Sequence, residues 1–180
     1  LDEATRIIQF GLDRWHETIS TKEFKSVLFF KNHGPMSGGS IRHPHSQIIG
    51  LRTYDYHEDI TVKNMNGWLL HEDQDIRITL SKHPIIGFFE YNLRYKPDAP
   101  VRSIAMRLQQ TIRYVLDSLA KFSQSYNYFF YQLEDGYEYI KVIPRYITTP
   151  LYVGYKIPQT CNDERAAKIL QNITPYFELK

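Results

Sequence analysis

The 180-residue sequence contains a single cysteine, Cys161, so no disulfide can close within the chain and no Cys-x-x-Cys zinc motif is present. One thiol fits a reducing compartment, and a cytoplasmic location is expected. Long apolar runs are missing as well. A bilayer-spanning helix needs roughly 20 apolar residues, whereas the longest clusters here are as short as Ser26-Val27-Leu28-Phe29-Phe30. Neither sign of charge dominates: 22 Lys and Arg face 20 Asp and Glu, a formal net charge of +2. Nucleic-acid and membrane partners are therefore not expected, because proteins that bind them carry a basic excess. The opening shows no positively charged signal-peptide head, and it starts at Leu1 inside what is already a helical pattern. Residues are expected to precede it.

What is present suffices for a core. Hydrophobic residues make up 42% and aromatics 14% of the chain, which excludes disorder as the dominant state. A folded chain of about 150 residues hides roughly 70% of its unfolded surface, so no disulfide or structural metal is required for stability. Fourteen tyrosines suit half-buried strands whose rings pack while their hydroxyls meet water or a ligand.

Apolar residues Ile7, Ile8, Leu12, Trp15 and Ile19 recur at three- and four-residue steps, predicting an amphipathic helix over residues 2–19. A buried strand is expected over 25–32. The run Asn32-His33-Gly34-Pro35-Met36-Ser37-Gly38-Gly39-Ser40 is a breaker cluster that predicts a compact loop. A second strand is expected over 43–51, weak strands over 59–63 and 76–80, and another strand over 87–95. The punctuation Lys96-Pro97-Asp98-Ala99-Pro100 divides the chain into halves, 1–96 and 97–180. The second half repeats the pattern: a helix over 101–122, then a hairpin of 126–133 and 137–142 around Asp135-Gly136. A strand over 152–155 and a helix over 162–173 close the chain. This order gives an α+β fold, with a faint duplication that no repeated motif supports.

Chemistry concentrates in Ser40-Ile41-Arg42-His43-Pro44-His45-Ser46-Gln47. Alternate side chains of an extended segment share a face, so His43, His45 and Gln47 converge on one site while Arg42 faces away. Pro44 stiffens the backbone and removes a donor, as on an edge strand beside a cleft. The turn Ser37-Gly38-Gly39-Ser40 can present successive backbone amides to an anion. Together these features describe a phosphate site with an imidazole nucleophile. Taken alone, the His-x-His pair fits a surface pair or two metal ligands at least as well.

The string Phe30-Lys31-Asn32-His33-Gly34, then Gly39-Ser40, then His43-Pro44-His45-Ser46-Gln47, resembles the active-site signature of the galactose-1-phosphate uridylyltransferase branch of the histidine triad superfamily. It looks most like the compact bacterial relatives of unassigned function. The resemblance is confined largely to residues 25–51. It implies a HIT-like fold of two diverged helix-plus-antiparallel-sheet repeats, 1–96 carrying the site and 97–180 its diverged partner. The first repeat would lack its N-terminal part, and the two would form one compact unit.

By the same resemblance, His45 is the nucleophile that attacks an α-phosphorus to give a nucleotidyl-histidine. Gln47 would donate to the transferring phosphoryl group and favour transfer to a phosphate acceptor, since members that hydrolyse carry histidine there. Asn32 and Ser40 would contact nucleotide phosphates, joined in the loop by Gly34, Gly38 and Gly39. His43 would position His45, and would bind zinc only if residues preceding the chain supplied the other ligands; tetrahedral zinc wants four. Tyrosines at 126–131 stand where the family commonly has a second His-x-His pair, so an iron site there is not expected. The implied partners are a nucleotide sugar and a sugar phosphate, with a homodimer in which tyrosine-rich strands would suit the interface. The implied activity is hexose-1-phosphate uridylyltransferase-like. The alternatives are phosphorolysis of a dinucleoside polyphosphate or ADP-sugar, and a nucleotide-binding module without turnover.

The remaining candidates read more plainly. Lys31 and His33 are expected to be a strand-end charge and a solvent-facing loop histidine. His16, His57, His71 and His83 lack partners at diagnostic spacing. Lys141 and Arg145 could meet a sugar phosphate, though basic residues near a strand end are mostly solvated. The aromatic run 126–131 could stack on a base, but alternating rings in a strand are more often core.

Overall fold

The periodic stripe at the start of the chain winds into α1 (Asp2–Ser20), which buries Ile8, Gly11, Leu12 and Trp15. Ile7 belongs to the same spacing but is 55% exposed, and Gly11 takes the inward place. A side chain there would run into the Phe29 ring, 2.4 Å from where its Cβ would lie. The Trp15 indole N–H donates to the Val27 carbonyl at 2.9 Å, tying the helix to the first strand. The computed structural model describes residues 1–39, 41, 43–87, 89–119 and 124–178.

Strands β1 (Ser26–His33), β2 (Gln47–Leu51), β3 (Gly67–Glu72), β4 (Ile76–Ser81), β5 (Tyr91–Tyr95), β6 (Ser125–Gln132) and β7 (Glu138–Arg145) form one antiparallel sheet in the order β2-β1-β6-β7-β5-β4-β3. Strands from before and after the Lys96–Pro100 punctuation are thus interleaved, with β6 and β7 at the centre. Alternation gives the sheet two different faces. One face carries Val27, Phe29, Tyr91, Leu93, Tyr126, Tyr128, Phe130, Ile140 and Val142, and is covered by α1, α3 (Val101–Leu119) and α5 (Asp163–Phe177). The other face is partly covered by the 54–65 segment, where Tyr56 and Met65 pack with Tyr131, Leu133 and Tyr139. The rest of it is more polar, with Asn32, Asn127, Asn92 and Lys141 standing among Phe30, Phe129 and Ile143.

The tyrosines of β6 and β7 are therefore consumed inside the chain. Tyr126, Tyr128, Tyr131 and Tyr139 are all less than a tenth exposed, so they are not free to form the subunit interface expected of them. Burial pushes the phenols of Tyr126, Tyr128, Tyr131 and Tyr139 up from their ordinary value.

Several elements differ from the sequence-based reading. Strand β2 begins at Gln47 rather than at 43, because Pro44 has no N–H to give a ladder. The 59–63 segment is not a strand; a 3-10 turn at Tyr56–Glu58 and a short α2 (Val62–Met65) stand there, with Asn64 Oδ1 accepting the Thr61 N–H at 3.0 Å. Strand β3 was not anticipated. The 152–155 segment is helical, α4 (Pro150–Tyr155): Thr149 caps it and Pro150 supplies the first turn, a start signal that outweighs the β-prone Tyr-Val pair. Residues 120–122 of the expected second helix lie outside the described residues. Among the described residues, no helix is long and apolar enough to cross a membrane.

Candidate active site

The loop after β1 is shaped by its glycines. Gly34 has φ +81°, and a Cβ there would lie 2.4 Å from Ser125 Oγ and 2.9 Å from the Gln124 carbonyl. The chain thus presses against the start of β6, where Ser125 Oγ accepts the Met36 N–H at 3.1 Å. Pro35–Ser37 forms a 3-10 turn, closed by Ser37 N–H and Oγ–H donating to the Gly34 carbonyl at 3.2 and 2.7 Å. The Gly39 N–H donates to Ser37 Oγ at 3.3 Å. Most of this turn's amides are thus engaged internally, so the cradle is narrower than four successive free donors. Gly38 is the opening. It also has φ +81°, it is exposed, nothing lies within 4 Å of where its Cβ would be, and its N–H has no acceptor among the described residues. Ser40 and Arg42 lie outside the described residues.

Asn32 stands at the end of β1 on the polar face, paired with Asn127 of β6. The Asn127 amide is 1% exposed and uses both ends: Nδ2 donates to Asn32 Oδ1 (2.5 Å) and to the Ser37 carbonyl (3.0 Å), while Oδ1 accepts from Arg145 Nη1 at 2.8 Å. These bonds fix the flip of Asn32. With its carbonyl oxygen turned to Asn127, its Nδ2 points elsewhere and has no acceptor among the described residues.

The β1–β2 ladder pairs Phe30 with Gln47, putting Gln47 on this same face. His45 precedes the ladder, two residues before Gln47. Ser46 confirms the phase, because its hydroxyl reaches the Tyr128 hydroxyl at 3.3 Å on the helix-covered side, so its neighbours point the other way. His45 is partly buried and His43 exposed, their ring centroids 5.6 Å apart. His45 Nδ1 lies 3.0 Å from the His43 carbonyl oxygen. A carbonyl can only accept, so Nδ1 carries the proton, and in the neutral ring Nε2 carries the lone pair.

Other basic groups near the loop behave differently from their sequence reading. Lys31 is half-buried, and desolvation pulls its ammonium below the ordinary lysine value. Desolvation, aided by Lys31, also lowers His33, whose ring stacks on Tyr126 at 4.8 Å. Lys141 is neither solvated nor at the site: it is fully buried and donates to Glu90 (3.1 Å), Ser81 Oγ (2.8 Å) and the Asn64 carbonyl (2.9 Å). Arg145, weighed as a strand-end charge, does join the site through Asn127. Asn127 itself went unremarked inside the aromatic run. The available signal was one amide at an alternate position of an otherwise aromatic strand.

The described residues do not by themselves supply a zinc ligand set. No three His, Cys, Asp or Glu side chains among them stand close enough to share a cation, and the Nδ1 of His45 is already committed to a carbonyl.

The seven-stranded antiparallel sheet with helices on one face is a fold this chain shares with solved uridylyltransferase-like structures. A uridylyltransferase structure is similar over 97% of this chain and 70% of its own, with 16% identity and a TM-score of 0.73. An ADP-glucose phosphorylase from Arabidopsis thaliana, solved with bound ADP-glucose, is similar over 93% of this chain and 67% of its own, with 13% identity and a TM-score of 0.71. The chain itself belongs to the DUF4931 family. Residues 2–54 match its N-terminal domain and residues 57–177 its C-terminal domain, each described as a domain of unknown function. A crystal structure of a DUF4931 family protein from Bacillus cereus shares 36% identity over 99% of this chain and 81% of its own, with a TM-score of 0.85. No curated protein matches the chain.

Proposed function

We propose that this protein transfers a nucleotidyl group between phosphate-bearing substrates through a covalent intermediate on His45. The observation that carries this reading is the bond from His45 Nδ1 to the His43 carbonyl, which leaves Nε2 as the lone-pair nitrogen of the neutral ring. In the first displacement Nε2 attacks the α-phosphorus of a nucleotide sugar. The N–P bond forms as the bond from that phosphorus to the bridging oxygen breaks, and the sugar 1-phosphate leaves with the electron pair. The imidazole keeps its Nδ1 proton, and the bond to the His43 carbonyl strengthens as the ring gains positive charge. In the second displacement a phosphate oxygen of the acceptor attacks the same phosphorus, the N–P bond breaks, and Nε2 recovers its lone pair.

Neither displacement calls for a proton to move, so catalysis rests on positioning and charge neutralisation. Asn32 Nδ2 and the Gly38 N–H are the free donors for phosphoryl oxygens. Gln47 reaches the same group from β2, and His43 holds the nucleophile. The fold shared with a uridylyltransferase and with an ADP-glucose phosphorylase solved with bound ADP-glucose supports a nucleotide sugar as donor, with a sugar phosphate as product. The phosphorylase also favours a second reading, in which inorganic phosphate is the acceptor.

The test is the intact mass of the protein after separate incubation with UDP-glucose, ADP-glucose and diadenosine tetraphosphate, alongside His45→Ala. A nucleotidyl increment on the wild-type chain alone is expected, and its mass names the base. Absence of any adduct on folded protein would discard the covalent mechanism and leave a nucleotide-binding module.

A further inference from the structure

Among the described residues Arg145 has no counterion. It is partly buried at the end of β7, it makes no ion pair with any described carboxylate, and its one recorded bond uses Nη1 alone of the guanidinium nitrogens. Arginine is rarely buried unless paired, so a half-buried guanidinium with idle donors marks a place prepared for an anion. The carboxylate that lines the same small pocket as Arg145 cannot serve. Glu90 accepts the backbone N–H groups of Ile85, Ile86 and Gly87 and the Lys141 ammonium.

The wiring of Arg145 ties it to the nucleotide side. Arg145 donates to the Asn127 carbonyl, the Asn127 amide donates to the Asn32 carbonyl, and the Asn32 amide is left pointing outward. Every dipole in this chain runs the same way, so its free end and the idle guanidinium N–H groups both favour negative charge. The pocket beside Arg145 adds Thr148, Thr149, Gln159 and Tyr146, polar groups of a kind that grips phosphate oxygens.

From this geometry we infer that Arg145 binds the second phosphate of the reaction, the one that leaves in the first displacement and attacks in the second, with Asn127 as the residue that positions it against Asn32. The inference rests on the reading of His45 as nucleophile, and it specifies where the acceptor is held. The chemistry recognised is a phosphate monoester or inorganic phosphate, which the planar guanidinium can take with two parallel bonds.

Binding is measured without turnover, in the His45→Ala background, by titrating calorimetrically with inorganic phosphate and, separately, with glucose 1-phosphate. Adding Arg145→Met is expected to weaken whichever ligand binds by about 10- to 100-fold, the loss of a charged hydrogen-bonding partner. Arg145→Lys, which keeps the charge and loses the fork, is expected to fall between. Tighter binding of inorganic phosphate than of glucose 1-phosphate identifies a phosphorolytic acceptor, and the reverse order a transferase. In the otherwise wild-type protein, Arg145→Met should raise the KM for the acceptor more than it lowers kcat. Equal affinity with and without Arg145 at unchanged melting temperature overturns the proposal, as does failure of both ligands to bind. Adduct formation on wild-type His45 is scored independently, so either reading can fail alone.

Discussion

His45 donates its Nδ1 proton to the carbonyl oxygen of His43 across the single residue Pro44. A bond this local depends on the backbone between its ends rather than on the core. Proline fixes φ near −65°, so it holds the carbonyl where the ring can meet it, on a segment with no ladder of its own. The sheet begins only at Gln47.

Replacing Pro44 should therefore slow chemistry and spare stability. Pro44→Gly frees an exposed segment at an entropic cost of about 1 kcal/mol, which corresponds to roughly a fivefold slower formation of the nucleotidyl adduct. The melting temperature should move by no more than about 2 °C, because no buried contact changes. The measurement is the adduct rate followed by intact mass, paired with thermal unfolding. A rate equal to wild type would show that the histidine pair is oriented by something other than this backbone.

Gly34 and Gly38 share a positive φ of +81°, yet their substitutions should separate stability from binding. Gly34→Ala must displace Ser125 and the backbone of Gln124, and should cost about 2–4 kcal/mol of unfolding free energy. Gly38→Ala meets no atom within 4 Å, so it should cost only about 1 kcal/mol of left-handed strain. Its methyl group would stand beside the open Gly38 amide, and nucleotide affinity should fall at least tenfold. Urea unfolding and ligand titration of both variants check the contrast. Equal destabilisation by the two would show that backbone strain, not the contact with β6, sets the cost.

These residues also show how far the sequence could be read. The two long helices followed from three- and four-residue apolar spacing, and the β6–β7 hairpin from Asp135-Gly136. Each is a local pattern. What stayed hidden depends on partners distant in sequence. Asn127 meets Asn32 95 residues away, a pairing set by the insertion of β6 beside β1 in the sheet. Lys141 looked like any strand cation until β5 brought Asn92 opposite it and placed Glu90, 51 residues upstream, within reach. The 152–155 segment was misread because tyrosine and valine favour strands, whereas the Thr149-Pro150 start signal decided the outcome.

A pH dependence is built in at the junction of α1 and β7. His16 Nε2 lies 2.6 Å from the carboxylate of Glu138, itself 1% exposed, and Gln132 Nε2 donates to the same oxygen at 3.1 Å. The hydrogen bond to Glu138 raises the His16 pKa above 6.5, with Asp13 adding a little and burial opposing. A raised folded value means that the pair's contribution to stability is full below the unfolded value near 6.5 and is lost as pH rises through the folded value. His16→Gln should therefore lose more stability at pH 5.5 than at pH 8.5. Thermal unfolding of both proteins across that range tests the sign, and a gap that widens toward alkaline pH would refute it.

The buried Lys141–Glu90 pair should matter to function through the loop it secures. Both side chains are almost wholly excluded from solvent, at 0% and 1% exposure, and Glu90 also collects the N–H groups of residues 85–87, of which Ile86 and Gly87 wall the pocket at Arg145. Lys141→Met leaves that carboxylate without its cation, and should cost about 3–5 kcal/mol, the usual loss when one partner of a buried pair is removed. Burial already pulls the Lys141 ammonium below its ordinary value, so the pair owes its charge to Glu90. Adding Glu90→Gln removes the orphaned charge and should recover part of the loss, while the 85–87 loop keeps an acceptor in the amide oxygen. The non-additivity, read from urea unfolding of the two single variants and the double, should exceed 1 kcal/mol in order of magnitude. If the double variant loses the sum of the singles, the two residues act separately, and the loop beside Arg145 is held by backbone alone.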